Sequence, residues 1–104
     1  MTAASPIEDV PKFANRLNAN APNPFNPRTK IDYEVGSAGR VTLRVFDVRG
    51  KAVRLLVDRE LDAGRYRLTW DGTDDRGRRL ASGVYFCRME AANFVQIIRM
   101  ALIK

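Results

Sequence analysis

Asp71, Asp74 and Asp75 put three carboxylates into the stretch Asp71-Gly72-Thr73-Asp74-Asp75-Arg76-Gly77, and such clusters either hold a cation or trade protons. Calcium takes about six to eight oxygen ligands, from carboxylates alternating along a loop and a more distant bidentate glutamate. Here the nearest such glutamate is Glu90, and the spacing does not reproduce an EF-hand loop. Aspartates in tight turns accept hydrogen bonds from their own backbone, so turn capping is the expected role. Asp74 and Asp75 as an acid-base pair is weaker still, because neighbouring side chains diverge and glycosidase carboxyls must flank the scissile bond.

Nucleophilic chemistry fares no better. The chain contains no histidine, which removes the commonest general base and metal ligand, and with them the Ser-His and Cys-His pairs. Cys87 is the single cysteine, so an internal disulfide is excluded, and without a base beside it the thiol is expected to be a small buried hydrophobe. Ser82 sits in Ala81-Ser82-Gly83, which lacks the Gly-x-Ser-x-Gly elbow. Arg76-Gly77-Arg78-Arg79 reads as a solvated loop tip rather than an anion site. No catalytic residue, cofactor or metal is expected.

The remaining signal is turn chemistry beside short alternating strands. Pro22-Asn23-Pro24-Phe25-Asn26-Pro27 fixes an extended, non-helical opening with Phe25 as its apolar anchor. Strands then follow by period-2 alternation. Ile31, Tyr33 and Val35 share one face, as do Val41, Leu43 and Val45, with Thr42, Arg44 and Phe46 turned outward. Asp47-Val48-Arg49-Gly50-Lys51 reads as a hairpin loop in which Gly50 takes a positive φ, leading into Val53, Leu55 and Val57. After the turn at Asp62-Ala63-Gly64 come Tyr66, Leu68 and Trp70, then the loop Asp71 to Gly77, then Gly83 to Glu90 with Tyr85, Cys87 and Met89 inward. Trp70 is expected in the core with its indole N–H on a backbone partner. About seven strands at this spacing predict an all-β, antiparallel sandwich of immunoglobulin-like type, with an inner face of Ile31, Tyr33, Val41, Leu43, Val45, Leu68, Trp70, Tyr85 and Met89.

A chain of 104 residues with 45% hydrophobic and 29% charged residues supports one core, assigned to 13–104, with 1–12 as a linker. The net charge of +6 invites nucleic acid, yet the arginines are spread along the strands and no recognition motif accompanies them, so nucleic-acid binding is not expected. No stretch reaches the roughly 18 apolar residues of a membrane span, and Met1 to Asn20 does not read as an export signal, which would therefore lie in a longer parent.

The last strand departs from the pattern. Phe94, Ile98, Met100 and Leu102 lie on one face and Val95, Ile97, Ala101 and Ile103 on the other, so both faces are expected to be covered. Cover from within the molecule, by the proline-rich segment or Phe46, is the first expectation. The alternative is a docking strand for a partner, carried by Val95, Ile97, Ile103 and Lys104.

Taken together these motifs resemble a family. Leu17, Asn20, Pro22 to Pro27, Thr29 and Ile31 are similar to the opening of the C-terminal sorting domains of the bacterial type IX secretion system. Val45-Phe46-Asp47, Gly50, Val53-Arg54, Ala63-Gly64, Trp70-Asp71-Gly72, Asp74, Gly77, Ser82-Gly83-Val84-Tyr85-Phe86 and Met100 to Lys104 complete the likeness. The central motifs also resemble the Ig-like domain of the flagellar hook-capping protein. Ala21, Cys87 and Gln96-Ile97-Ile98 depart from the sorting pattern. The resemblance implies a non-catalytic immunoglobulin-like domain closing a larger exported protein, following its N-terminal domains. It would pass through the periplasm to the medium or cell surface and be read by secretion machinery. In the hook-capping form it would instead be a structural module binding other proteins.

Overall fold

The computed structural model describes residues 12–104, so the linker expected over 1–12 lies, but for Lys12, outside the described residues. Seven strands follow in order: β1 (Arg16–Leu17), β2 (Thr29–Val35), β3 (Gly39–Phe46), β4 (Ala52–Leu61), β5 (Gly64–Trp70), β6 (Gly83–Ala91) and β7 (Phe94–Leu102). They form a three-stranded sheet, β1-β2-β5, against a four-stranded sheet, β4-β3-β6-β7, with all pairings antiparallel. This is an all-β immunoglobulin-like sandwich. No helix among the described residues is long and apolar enough to cross a membrane.

Alternation places the core. Val41, Leu43 and Val45 of β3, Cys87 and Met89 of β6, and Met100 of β7 are fully buried from one sheet, and Ile31 and Val35 from the other. Burying each such aliphatic side chain contributes roughly 1.5–3 kcal/mol, the largest favourable term in so small a domain. Leu68 keeps to the expected inner face and packs against the core, but it is only half-buried, because β5 is the last strand of its sheet.

Two further departures come from β4 and β1. Leu43 faces Val57 but Arg44 faces Leu55, and Val45 faces Arg54 but Phe46 faces Ala52. Leu56 and Val53 are therefore extra residues in two bulges, and each reverses the side-chain alternation after it. As a result Val53, Leu56 and Val57 lean on the core, while Leu55 lies opposite the outward Arg44. β1 is too short to alternate. Its Leu17 is buried, and the Gln96 amide acts as a strand partner, accepting from the Leu17 N–H at 2.8 Å and donating to the Leu17 carbonyl at 2.8 Å.

Candidate functional site

The motifs singled out in the sequence, Ala63-Gly64 apart, gather at one end of the sandwich. Phe25 is buried with its ring 5.5 Å from that of Trp70, and Tyr85 meets Trp70 edge-on at 6.1 Å. The Trp70 indole N–H donates to the Thr73 carbonyl at 3.0 Å, and the Tyr85 hydroxyl donates to the Ala81 carbonyl at 2.7 Å, closing the turn before Gly83. Gly72 is required twice over. Its φ is +76°, and a Cβ there would lie 3.2 Å from the Pro27 carbonyl oxygen. The proline segment, the Trp70-Asp71-Gly72 turn and Leu102 of the last strand thus pack as one unit.

The proline-rich segment works as an improvised strand along the edge of β7. The Phe25 N–H donates to the Ala101 carbonyl at 2.9 Å and its carbonyl accepts from the Ile103 N–H at 2.9 Å. The Asn23 side chain continues the ladder, donating to the Arg99 carbonyl at 3.2 Å and accepting from the Ala101 N–H at 2.9 Å. Behind it Asn20 and Thr29 bind the Pro22 carbonyl, at 3.2 and 2.9 Å. Pro22, Pro24 and Pro27 all follow cis peptide bonds, and Asn26 faces solvent.

The carboxylates are consumed by their own turns. Asp74 accepts from the N–H groups of Arg76 and Arg78, both at 2.9 Å, bracketing Gly77. Asp71 accepts from the hydroxyl and N–H of Thr73. Asp75 accepts from the Leu55 N–H at 2.9 Å, which ties the loop to the bulged half of β4. Arg54, which the sequence did not connect to this loop, sits among them. It donates to Thr73 Oγ1 at 2.7 Å and lies 3.9 Å from both Asp71 and Asp75. Donated hydrogen bonds hold both carboxyls below their ordinary range, chiefly from the Arg78 N–H for Asp74 and the Thr73 hydroxyl for Asp71. Asp47 plays the same part in its hairpin, accepting from Arg49 and Lys51 around Gly50 at φ +84°. Gly64 opens β5 at the far end of the sandwich. Burial pushes the Cys87 thiol up to about 12, which leaves it protonated and inert.

The outer face of β7 contrasts with all of this. The expectation that the proline segment or Phe46 covers it is corrected: the proline segment caps the strand's edge, and Phe46 lies on the same outer face. Val95, Ile97 and Ile103 are 60, 56 and 50% exposed, and Lys104 follows them in solvent. Cross-strand pairing sets Ile97 beside Arg88, with Arg44 on the far side of Arg88, and Arg99 beside Phe86, with Phe46 on the far side of Phe86. The Arg88 guanidinium lies 4.5 Å from the centre of the Phe46 ring. Phe46, Val48, Phe86, Arg88 and Ile97 together line a shallow apolar groove. Val48 and Phe86 could not be joined to Ile97 from the sequence, because strand order decides which outward residues become neighbours.

The fold has relatives among solved structures. PorZ, an essential bacterial surface component of the type IX secretion system of Porphyromonas gingivalis, superposes with a TM-score of 0.56 at 24% identity over 86% of this chain. Dimeric latent PorU from the same organism superposes at 0.65 with 16% identity over 90% of this chain. At these identities both comparisons speak to the fold alone. FlgD from Xanthomonas campestris, described for hook capping essential for flagellar assembly, gives 0.57 at 28% identity over 84% of this chain. The chain spans 11% of the PorZ chain, 10% of the PorU chain and 65% of the FlgD chain. No curated protein matches it in sequence. A family model matches residues 25–94, from the Phe25 anchor to the first residue of β7, and by that match the chain belongs to the FlgD Ig-like domain family.

Proposed function

We propose that this domain, residues 13–104, is a non-catalytic secretion and surface-attachment signal of a larger exported bacterial protein, read through the outer face of β7. The observation that carries the reading is the exposed row of Val95, Ile97 and Ile103 on the strand whose inner residues Met100 and Leu102 complete the core. Ile97 adjoins the groove lined by Phe46, Val48 and Phe86, and a contiguous exposed apolar patch marks interaction sites more often than scattered residues do. The likeness in fold to type IX components and the motif set favour secretion machinery as the partner, with passage through the periplasm to the surface or medium. The test replaces Ile97 and Ile103 together by threonine, which keeps strand preference and removes apolar area. A cargo fused to the folded double variant is expected to accumulate in the periplasm of a type IX host, and normal surface delivery would refute recognition through this face.

A second reading is favoured by the family match and by the similarity to FlgD. In it the domain is a structural module of hook-capping or extracellular scaffold type. A flagellar operon around the parent gene supports that reading, whereas a parent with a signal peptide and a preceding catalytic or adhesive domain supports sorting.

A further inference from the structure

The three-stranded sheet is one strand short of the sheet it covers, and the shortage falls at a definite place. On one flank the sandwich is closed where Leu17 of β1 meets Gln96 of β7. Counting across from there sets β2 over β6 and β5 over β3, so β4 overhangs with no strand facing it. Burial agrees. β3 and β6 each carry fully buried residues, but no residue of β4 is buried, and Leu56, Val57 and Leu61 are only partly covered, as are Tyr66 and Leu68 of β5. The loop carrying Asp75 shields the Ala52–Leu55 half of β4 through its bonds to Val53 and Leu55. The half from Leu56 to Leu61 has no such cover among the described residues.

The backbone beside this opening is also unpartnered. Lys30 and Asp32 of β2 turn their backbone groups toward the opening segment, bonding Ala21 and Asn18, so Ile31 and Tyr33 turn theirs toward Leu68 and Tyr66 of β5. It follows that Arg65, Arg67 and Thr69 aim their N–H and C=O groups away from the sheet. Among the described residues these groups have no hydrogen-bond partner. We infer that the free edge of β5 accepts an extended segment of a partner protein, added as a fourth strand, with apolar residues alternating with acidic ones.

Both side-chain rows of that segment follow from the residues it would meet. Its inward row would lie over Leu56, Val57 and Leu68, which calls for apolar side chains. Its outward row would lie beside Arg65 and Arg67, where a carboxylate is attractive and a cation is not. Arg67 donates Nε and Nη2 to Asp32, at 2.6 and 3.0 Å, which leaves Nη1 for a second carboxylate. The same arginines argue against a second copy, since antiparallel β5–β5 pairing sets arginine against arginine. Main-chain bonds then supply affinity and the alternating side chains supply specificity.

The probe is a labelled nonapeptide, Thr-Val-Glu-Val-Asp-Val-Glu-Val-Thr, with a control in which lysine replaces every acid. Fluorescence anisotropy on the full chain is expected to show at least tenfold tighter binding of the acidic peptide. The same peptide should slow amide exchange at Arg65, Arg67 and Thr69 by tenfold or more and leave Val95 and Ile97 unchanged. Arg67→Pro removes an N–H that the fold does not use and should weaken binding at least tenfold, while Arg67→Ala keeps the N–H and should weaken it less. Exchange mapping on the unaltered chain stands whether or not the proline variant folds. Equal binding of the lysine peptide, or protection confined to β7, would overturn the assignment. So would protection of these three amides before any peptide is added. In that case sedimentation tells a second copy from the chain's own residues 1–11, whose removal would expose the edge.

Discussion

The end of the sandwich where the motifs converge and the outer face of β7 were both conspicuous in the sequence, yet they hold opposite kinds of residue. Phe25, Trp70 and Leu102 are at most 3% exposed, and Phe25 meets both of the others, whereas Ile97 is 56% exposed and lines a groove open to solvent. The difference teaches what the motif spacing encodes. Proline, asparagine, glycine and tryptophan at fixed intervals are needed to knit the proline-rich segment to the last strand, so they specify the fold. A partner would meet the residues that this knitting leaves outside. The same separation lets one sandwich serve in a secretion component and in a hook-capping protein, because function sits in grafted surfaces.

The comparison breaks most directly at Trp70. Trp70→Ala should cost about 3–5 kcal/mol, a large share of the roughly 5–15 kcal/mol expected for a whole domain. The ring supports Phe25 and Tyr85 together, and its N–H is the donor that shapes the Thr73 turn. Urea denaturation followed by circular dichroism measures this, and a midpoint equal to that of the unaltered protein would show that the motif end does not hold the fold.

Legibility followed the same division. The core rows of β3, β6 and β7 could be read because period-2 alternation is local and each strand is half-buried. The turns at Asp47 and Asp74 could be read because their chemistry is local too. The bulges at Val53 and Leu56 could not, since an extra residue in one strand shows only against the partner it slips past. Gln96 gave no sign that its amide substitutes for a strand at Leu17, a residue 79 positions away. Arg54 looked like one more surface cation until the loop folded over it. Exposure of the β7 outer face was equally non-local, because it depends on where the proline segment docks.

Titration at high pH tests the interior. The Cys87 thiol is pushed from an ordinary 9.0 up to about 12 by burial alone. Between those values the unfolded chain loses a proton that the folded chain keeps, so stability is full below about pH 9 and is lost as pH rises. The slope should approach about 1.4 kcal/mol per pH unit. Tyr33 and Tyr85, raised mainly by burial, act in the same direction. Cys87→Ala should flatten the alkaline slope relative to the unaltered chain, and parallel curves for the two proteins would rule the thiol out.

Titration at low pH tests the turns and produces a smaller change, because the groups are largely solvated. Asp32 is lowered first by the Arg67 hydrogen bond, Glu34 by the Ala14 N–H, and Asp71 and Asp74 by the donors in their loop. Depressed carboxyls stabilise the fold above their unfolded values, and that contribution disappears as pH falls through the folded ones. The Tm should therefore be level near neutrality and decline below about pH 5. Asp74→Asn keeps an acceptor for Arg76 and Arg78 but cannot titrate, so its acid decline should be shallower. An identical decline would show that the Asp74 turn carries none of the acid sensitivity.

The smallest expected change in stability is the most informative about the comparison. Ile97→Thr and Ile103→Thr alter side chains that are 56 and 50% exposed, on a strand whose core contribution comes from Met100 and Leu102. Surface substitutions away from cores, caps and strained backbone usually shift stability by no more than about 0.5 kcal/mol, and threonine suits a strand as well as isoleucine does at a solvated position. The double variant should therefore unfold at the same urea concentration as the unaltered chain and with the same slope. Loss of more than about 1 kcal/mol would mean that the outer face of β7 is held by the molecule itself, through the Phe46 and Phe86 groove, and would remove the distinction between the two regions. Unchanged stability with lost surface delivery of a fused cargo would separate them completely, since only a residue that meets another molecule can matter to export while leaving the fold indifferent.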